Sequence, residues 1–212
     1  LDVVRSAPFA VAPSARVWYA ADHSDQDRGG LLAVAGPGLP GARTEIDLLR
    51  REIPGVQGLV DDQARVDRVM AALSNVGTAH VAAHGRYRAD NPQFSSIALA
   101  DGDLTVYDLE TLSRVPRTVV LAACDAGDAQ VNAGDELMGF AAALLRLGAS
   151  SVVAASVAVP DDLVSPLMVD LQVRLRGGNR VPEAVFGAVG AAMESADPRL
   201  TAAAASFVTI GS

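Results

Sequence analysis

The feature that most constrains this chain is the alternation of short, mostly apolar runs with longer segments of helical period. The runs at 31–35, 56–60, 79–83, 119–123, 150–157 and 207–210 are rich in Val, Ala and Leu. Several have no polar face, as strands covered on both sides require. A further strand is expected at 15–20. Between them, 44–51, 62–74, 135–147, 162–176 and 182–195 carry apolar residues at helical spacing. Thr44 followed by Asp47, Asp135 before Leu137, and Pro182 suit helix first turns. The alternation predicts an α/β fold, a mainly parallel sheet with helices on both faces.

With 212 residues, half of them apolar, the chain can bury one core of ordinary size. The expectation is a single domain over 1–212, with 1–30 as an irregular N-terminal segment and 85–103 as loops or edge hairpins. The chain opens at Leu1 without an initiator Met, as the C-terminal part of a longer polypeptide would. A formal net charge of -8 disfavours nucleic acid and anionic membrane as partners. No apolar run approaches the roughly 20 residues of a spanning helix. With no signal segment, the expected location is the cytoplasm. The one cysteine, Cys124, excludes an internal disulfide framework and multi-thiolate zinc sites. By itself it is either packing or chemistry.

Gly36-Pro37-Gly38-Leu39-Pro40-Gly41 satisfies a dinucleotide-binding fingerprint, with Asp61 placed where a ribose-binding acid would fall. Pro37 and Pro40 remove two amide donors from that turn, and a helix starting at Thr44 would leave the loop too long to press amides on a phosphate. His80 and His84 have zinc-helix spacing, but on a strand they stand about 13 Å apart and cannot share a metal. No metal or cofactor is expected. His84 and Cys124 each end an apolar run and each is followed by glycine-bearing loop. Side chains ending neighbouring parallel strands meet at the carboxyl edge, where a base and a nucleophile could work together. Packing is the competing role for both residues.

The blocks Ala79-His80-Val81-Ala82-Ala83-His84-Gly85 and Val119-Val120-Leu121-Ala122-Ala123-Cys124-Asp125-Ala126-Gly127 resemble the two signature blocks of the CHAT domain, a caspase-like peptidase family related to separase. The likeness continues through Asp90-Asn91-Pro92, Leu99-Ala100-Asp101-Gly102, Gly134-Asp135-Glu136-Leu137-Met138-Gly139 and the closing Phe207-Val208-Thr209-Ile210-Gly211. Ala83, Ala122 and the strand-end residues Ser156-Val157-Ala158-Val159 depart from the family's usual choices.

The resemblance implies a caspase-like fold and a cysteine endopeptidase. Cys124 would be the nucleophile, His84 the proton carrier, and the N–H groups of Gly85 and Cys124 the oxyanion donors. It implies that Asp161 receives a basic substrate side chain, with Asp125, directly after Cys124, as a further substrate-binding residue; capping of the helix at 162–176 is the other role open to Asp161 and Asp162. The implied partners are a protein or peptide substrate, such as a gasdermin or other effector in bacterial antiviral defence, and a regulatory repeat domain or sensor outside this chain. The alternative is a catalytically silent pseudo-peptidase that acts as an interaction module.

Overall fold

The computed structural model describes residues 6–12, 14, 15, 18, 19, 29–86, 88, 91–122, 133–157 and 159–212, with the backbone alone at 92, 133–139, 161 and 162. Strand β1 (Leu31–Ala35) leads through helix α1 (Pro40–Glu52) to β2 (Gln57–Leu59). A 3-10 turn (Asp61–Gln63) and α2 (Val66–Leu73) return the chain to β3 (Thr78–Ala82). An antiparallel excursion follows, β4 (Gly85–Arg86), β5 (Ser96–Leu99) and β6 (Gly102–Thr105), and then α3 (Val106–Leu109) and β7 (Thr118–Leu121). The chain finishes through α4 (Ala133–Arg146), β8 (Ser151–Ala155), α5 (Asp161–Arg176), α6 (Val181–Met193), α7 (Pro198–Ala204) and β9 (Phe207–Gly211).

The six-stranded sheet has the order β2-β1-β3-β7-β8-β9. All neighbours are parallel except β8 and β9. Alternation along each strand splits the core in two. Leu32, Val34, Ala79, Val81, Val119, Leu121, Val152 and Ala154 face α2, α3, α4 and the small sheet. Leu31, Ala33, Ala35, Ala82, Val120, Ala122, Val153 and Ala155 face α1, α5, α6 and α7. The strands are therefore mostly apolar because both faces are covered, with His80 a buried polar exception in β3.

The expected α/β architecture is present, and the 85–103 region is the edge hairpin that its turn residues suggest. Three details differ. Ala15, Trp18 and Tyr19 are helical where a strand is expected, with the Trp18 N–H donating to the Ser14 carbonyl at 3.1 Å. Helix α1 begins at Pro40 behind an extended Leu39 and not at Thr44, because a missing N–H costs nothing at a first helical position. The segment 62–74 divides into the 3-10 turn and α2, whose cap position is Arg65.

Leu32 is fully buried between β2 and β3 in the first core. Leu32→Ala is expected to cost about 3 kcal/mol through the cavity it leaves. Thermal unfolding followed by circular dichroism should show a midpoint about 6–12 °C lower.

Candidate active site

Chain order reverses at β1: β2 lies on one side of it and β3, β7 and β8 follow on the other. At such a switch point the connections leave in opposite directions and open a crevice beyond the carboxyl ends of the strands. The loop between β1 and α1 and the residues after β3 occupy this place. The Gly36 N–H donates to the Ala82 carbonyl at 2.8 Å, which pins the loop to the end of β3. A Cβ on Gly36 would lie 2.7 Å from both the Ala98 carbonyl oxygen and the Ala83 Cβ, so only glycine fits. Gly38 has φ +76° and a Cβ there would lie 3.3 Å from Nε2 of His84. The loop thus forms one wall against the imidazole.

His84 is half-buried, two residues beyond the end of β3. Its carbonyl accepts from the Ala98 N–H at 2.8 Å. Gly85 pairs with Ile97 one residue further on, at a non-hydrogen-bonded position of the antiparallel ladder, so its N–H points away from β5. The β3–β7 register aligns Thr78 with Thr118 and Val81 with Leu121, and the Ala122 N–H continues it to the Val81 carbonyl at 2.9 Å. His84 and Cys124 stand equally far along the chain from Val81 and Leu121. Cys124 and Asp125 themselves lie outside the described residues. Asp161 is the first residue of α5, behind Pro160, and its side chain is likewise outside them.

His80, excluded above as a partner of His84 in metal binding, has other work. It is fully buried on the face covered by α1 and α5. Its Nε2 lies 2.6 Å from Glu45 Oε1 on α1, and its Nδ1 lies 3.1 Å from Gln172 Nε2 on α5. Gln172 Nε2 is a donor, so Nδ1 accepts and Nε2–H donates to the Glu45 carboxylate. Gln172 Oε1 is buried without a hydrogen-bond partner among the described residues. Sequence reading found neither Glu45 nor Gln172, because a single polar residue on a helix looks like a surface residue.

An open groove of about 610 Å3 continues from the Gly36–Gly38 loop to Arg43, Asp61 and Asp62. Asp61, the acid of the dinucleotide fingerprint, is ion-paired with Arg43 and has φ +49°. A separate, mostly apolar groove of about 690 Å3 lies over α6, α7 and β9, at the far edge of the sheet from His84. Among the described residues no group of three or more His, Cys, Asp or Glu is placed to hold a metal ion, and no helix is long and apolar enough to cross a membrane.

The sheet order and the position of this crevice define a caspase-like α/β fold. The complex of Porphyromonas gingivalis RgpB pro- and mature domains superposes with TM-score 0.61 at 14% identity, over 91% of this chain and 51% of that one. The Arg specific cysteine proteinase gingipain R gives 0.54 at 14% identity, over 87% of this chain and 46% of that one. The Saccharomyces cerevisiae separase–securin complex gives 0.65 at 14% identity, over 98% of this chain and 14% of that one. At such identities the likeness is one of fold, and this chain spans about half of the gingipain chains and a small part of separase. No curated protein matches the sequence. The CHAT domain profile matches residues 3–212, and the chain belongs to the CHAT domain family.

Gly36→Ala should lower stability by about 2 kcal/mol, because the added methyl meets backbone and a packed alanine that cannot withdraw. Gly29→Ala, with nothing among the described residues within 4 Å of its Cβ, is the matched control and should leave stability within about 0.5 kcal/mol of the parent.

Proposed function

We propose that this chain is a cysteine endopeptidase domain in which His84 and Cys124 form the catalytic dyad. The observation that carries the reading is the parallel register of β3 and β7, which runs from Thr78 opposite Thr118 to Val81 opposite Leu121 and whose sequence step leads on to His84 and Cys124. The loop wall at Gly36–Gly38 and the outward N–H of Gly85 support it, as does membership of the CHAT family.

In this mechanism His84 takes the thiol proton of Cys124 and becomes an imidazolium as the sulfur attacks the scissile carbonyl carbon, and the carbonyl π electrons move to oxygen. The N–H groups of Gly85 and Cys124 donate to that oxyanion, a contribution worth about 10²–10³ in rate per donor in comparable enzymes. The C–N bond then breaks, and the imidazolium of His84 gives its proton to the departing amine. Water enters, His84 takes its proton, and hydroxide attack on the thioester releases the acid and restores the thiol. The absence of a side chain on Gly85 lets the substrate carbonyl approach its amide.

Asp161, assisted by Asp125, receives Arg or Lys at the cleaved position. This reading is supported by the acidic balance of the chain and by the Arg specificity stated for gingipain R, which shares the fold. The domain acts inside the cell as the cleaving part of a gated bacterial defence or signalling system. A sensor or repeat domain outside these residues releases it, and a gasdermin or other effector protein is the substrate.

Cleavage of a fluorogenic library carrying Arg or Lys is expected to fall by at least about 10³-fold in Cys124→Ala and in His84→Ala. Asp161→Ala should retain the dyad's reactivity but lose about tenfold or more of the preference for basic over neutral residues. A Cys124 that no thiol-directed probe labels, together with no cleavage, would overturn the peptidase in favour of a silent interaction module.

A further inference from the structure

We infer that the buried Glu45–His80–Gln172 network positions the walls of the active-site crevice, a reading that rests on the proposed peptidase. The three residues come from α1, β3 and α5, and each is at most 1% exposed. Around them the sheet presents Ala33, Ala35, Ala82 and Ala122 beside Val120, which stands opposite His80, a mostly small-residue surface that does little to fix how two helices slide or rotate above it. The two hydrogen bonds, 2.6 and 3.1 Å, supply that missing register. Each helix has its first residue at the carboxyl edge of the sheet. Glu45 lies about 7 Å down α1 from Pro40, and Gln172 about 16 Å down α5 from Asp161, from the helical rise per residue. His80 lies two residues before the end of β3, and His84 two residues beyond that end. Fixing these three points sets where the Gly36–Gly38 wall meets His84 and where α5 begins.

A layer that only needed to be stable would not place a carboxylate, an imidazole and an unpaired amide oxygen there, because well-packed apolar side chains of similar volume serve stability as well or better. Positional specificity is what such a network adds. The residues do not touch substrate, so they are positioning residues.

The test separates stability from position. His80→Leu alone leaves the Glu45 carboxylate buried without its donor and should lower the melting temperature. The triple variant Glu45→Leu, His80→Leu, Gln172→Met removes every polar member and should restore the melting temperature to within about 4 °C of the parent. In that triple variant kcat for peptide cleavage should stay reduced by about 10-fold or more, toward the 10²-fold that ångström-scale misplacement can cost, with KM changed less than about threefold. The ring cross-peak of His84 in a carbon-13 histidine spectrum, assigned through His84→Ala, should move as well. Retention of both parental kcat and the parental His84 cross-peak in a stable triple variant would overturn the inference. A parent that cleaves nothing would overturn the peptidase reading alone, and the cross-peak would then decide the positioning role. Should the triple variant fail to fold, Glu45→Gln gives the same readout: a parental His84 cross-peak in it would also count against the inference.

Discussion

The parallel ladder between β3 and β7 is the constraint on which the rest of the structure depends. It sits at the centre of the six-stranded sheet, with β1 on one side and β8 on the other. Because strand side chains alternate faces, a slip of one residue would exchange the two cores. Val81 and Leu121 would leave the layer under α2 and α4, and His80 would be turned away from Glu45 and Gln172. Val119 and Val120 could each tolerate either face as apolar residues. His80 could not, because its ring nitrogens need partners that only α1 and α5 offer. The polar residue in the strand therefore makes the register unique, and the register decides which strand-end residues become neighbours.

Much of this was legible in the sequence. The strands at 31–35, 79–83 and 119–123 announce themselves because burial on both faces leaves little room for polar residues, His80 being the exception, and the parallel order follows from the helices between them. His84 could be singled out because a glycine follows it directly. Other features were harder to see. The short α3 has a full capping box, Thr105 with Asp108, and α7 has Asp197 accepting from the Arg199 N–H at 2.8 Å ahead of an alanine-rich run. Both signals are present but too brief to stand out from turn chemistry. The segment at 15–20 misled because its apolar alternation says nothing about whether a partner strand is available. Glu45 and Gln172 meet His80 across |i−j| separations of 35 and 92, and no local pattern marks such a meeting.

The small-residue character of the sheet face under α1 and α5 links composition to function. Only 4% of the chain is aromatic, so this layer is filled mostly by alanine, valine and leucine. Close helix approach follows, and with it a tight crevice edge where Gly36 has backbone on one side and Ala83 on the other. A layer of this kind is dense yet poorly keyed, since alanine surfaces permit many nearly equivalent placements of a helix. Hydrogen bonds from a buried imidazole to both helices remove that degeneracy, at the expense of a buried carboxylate.

The glycine-rich loop after β1 shows how the same local sequence can support different chemistry. Helix α1 starts directly at Pro40, so the connection from β1 is short and its distance from the helix would not prevent phosphate binding. What opposes it is the donor inventory and the charge. Pro37 and Pro40 present no N–H, and the groove that the loop opens into is lined by Asp61 and Asp62, with Arg43 already engaged by Asp61. An anion would meet missing donors and facing carboxylates. A neutral or cationic group meets neither difficulty, and Gly36 and Gly38 bring the loop backbone close against Ala83 and His84.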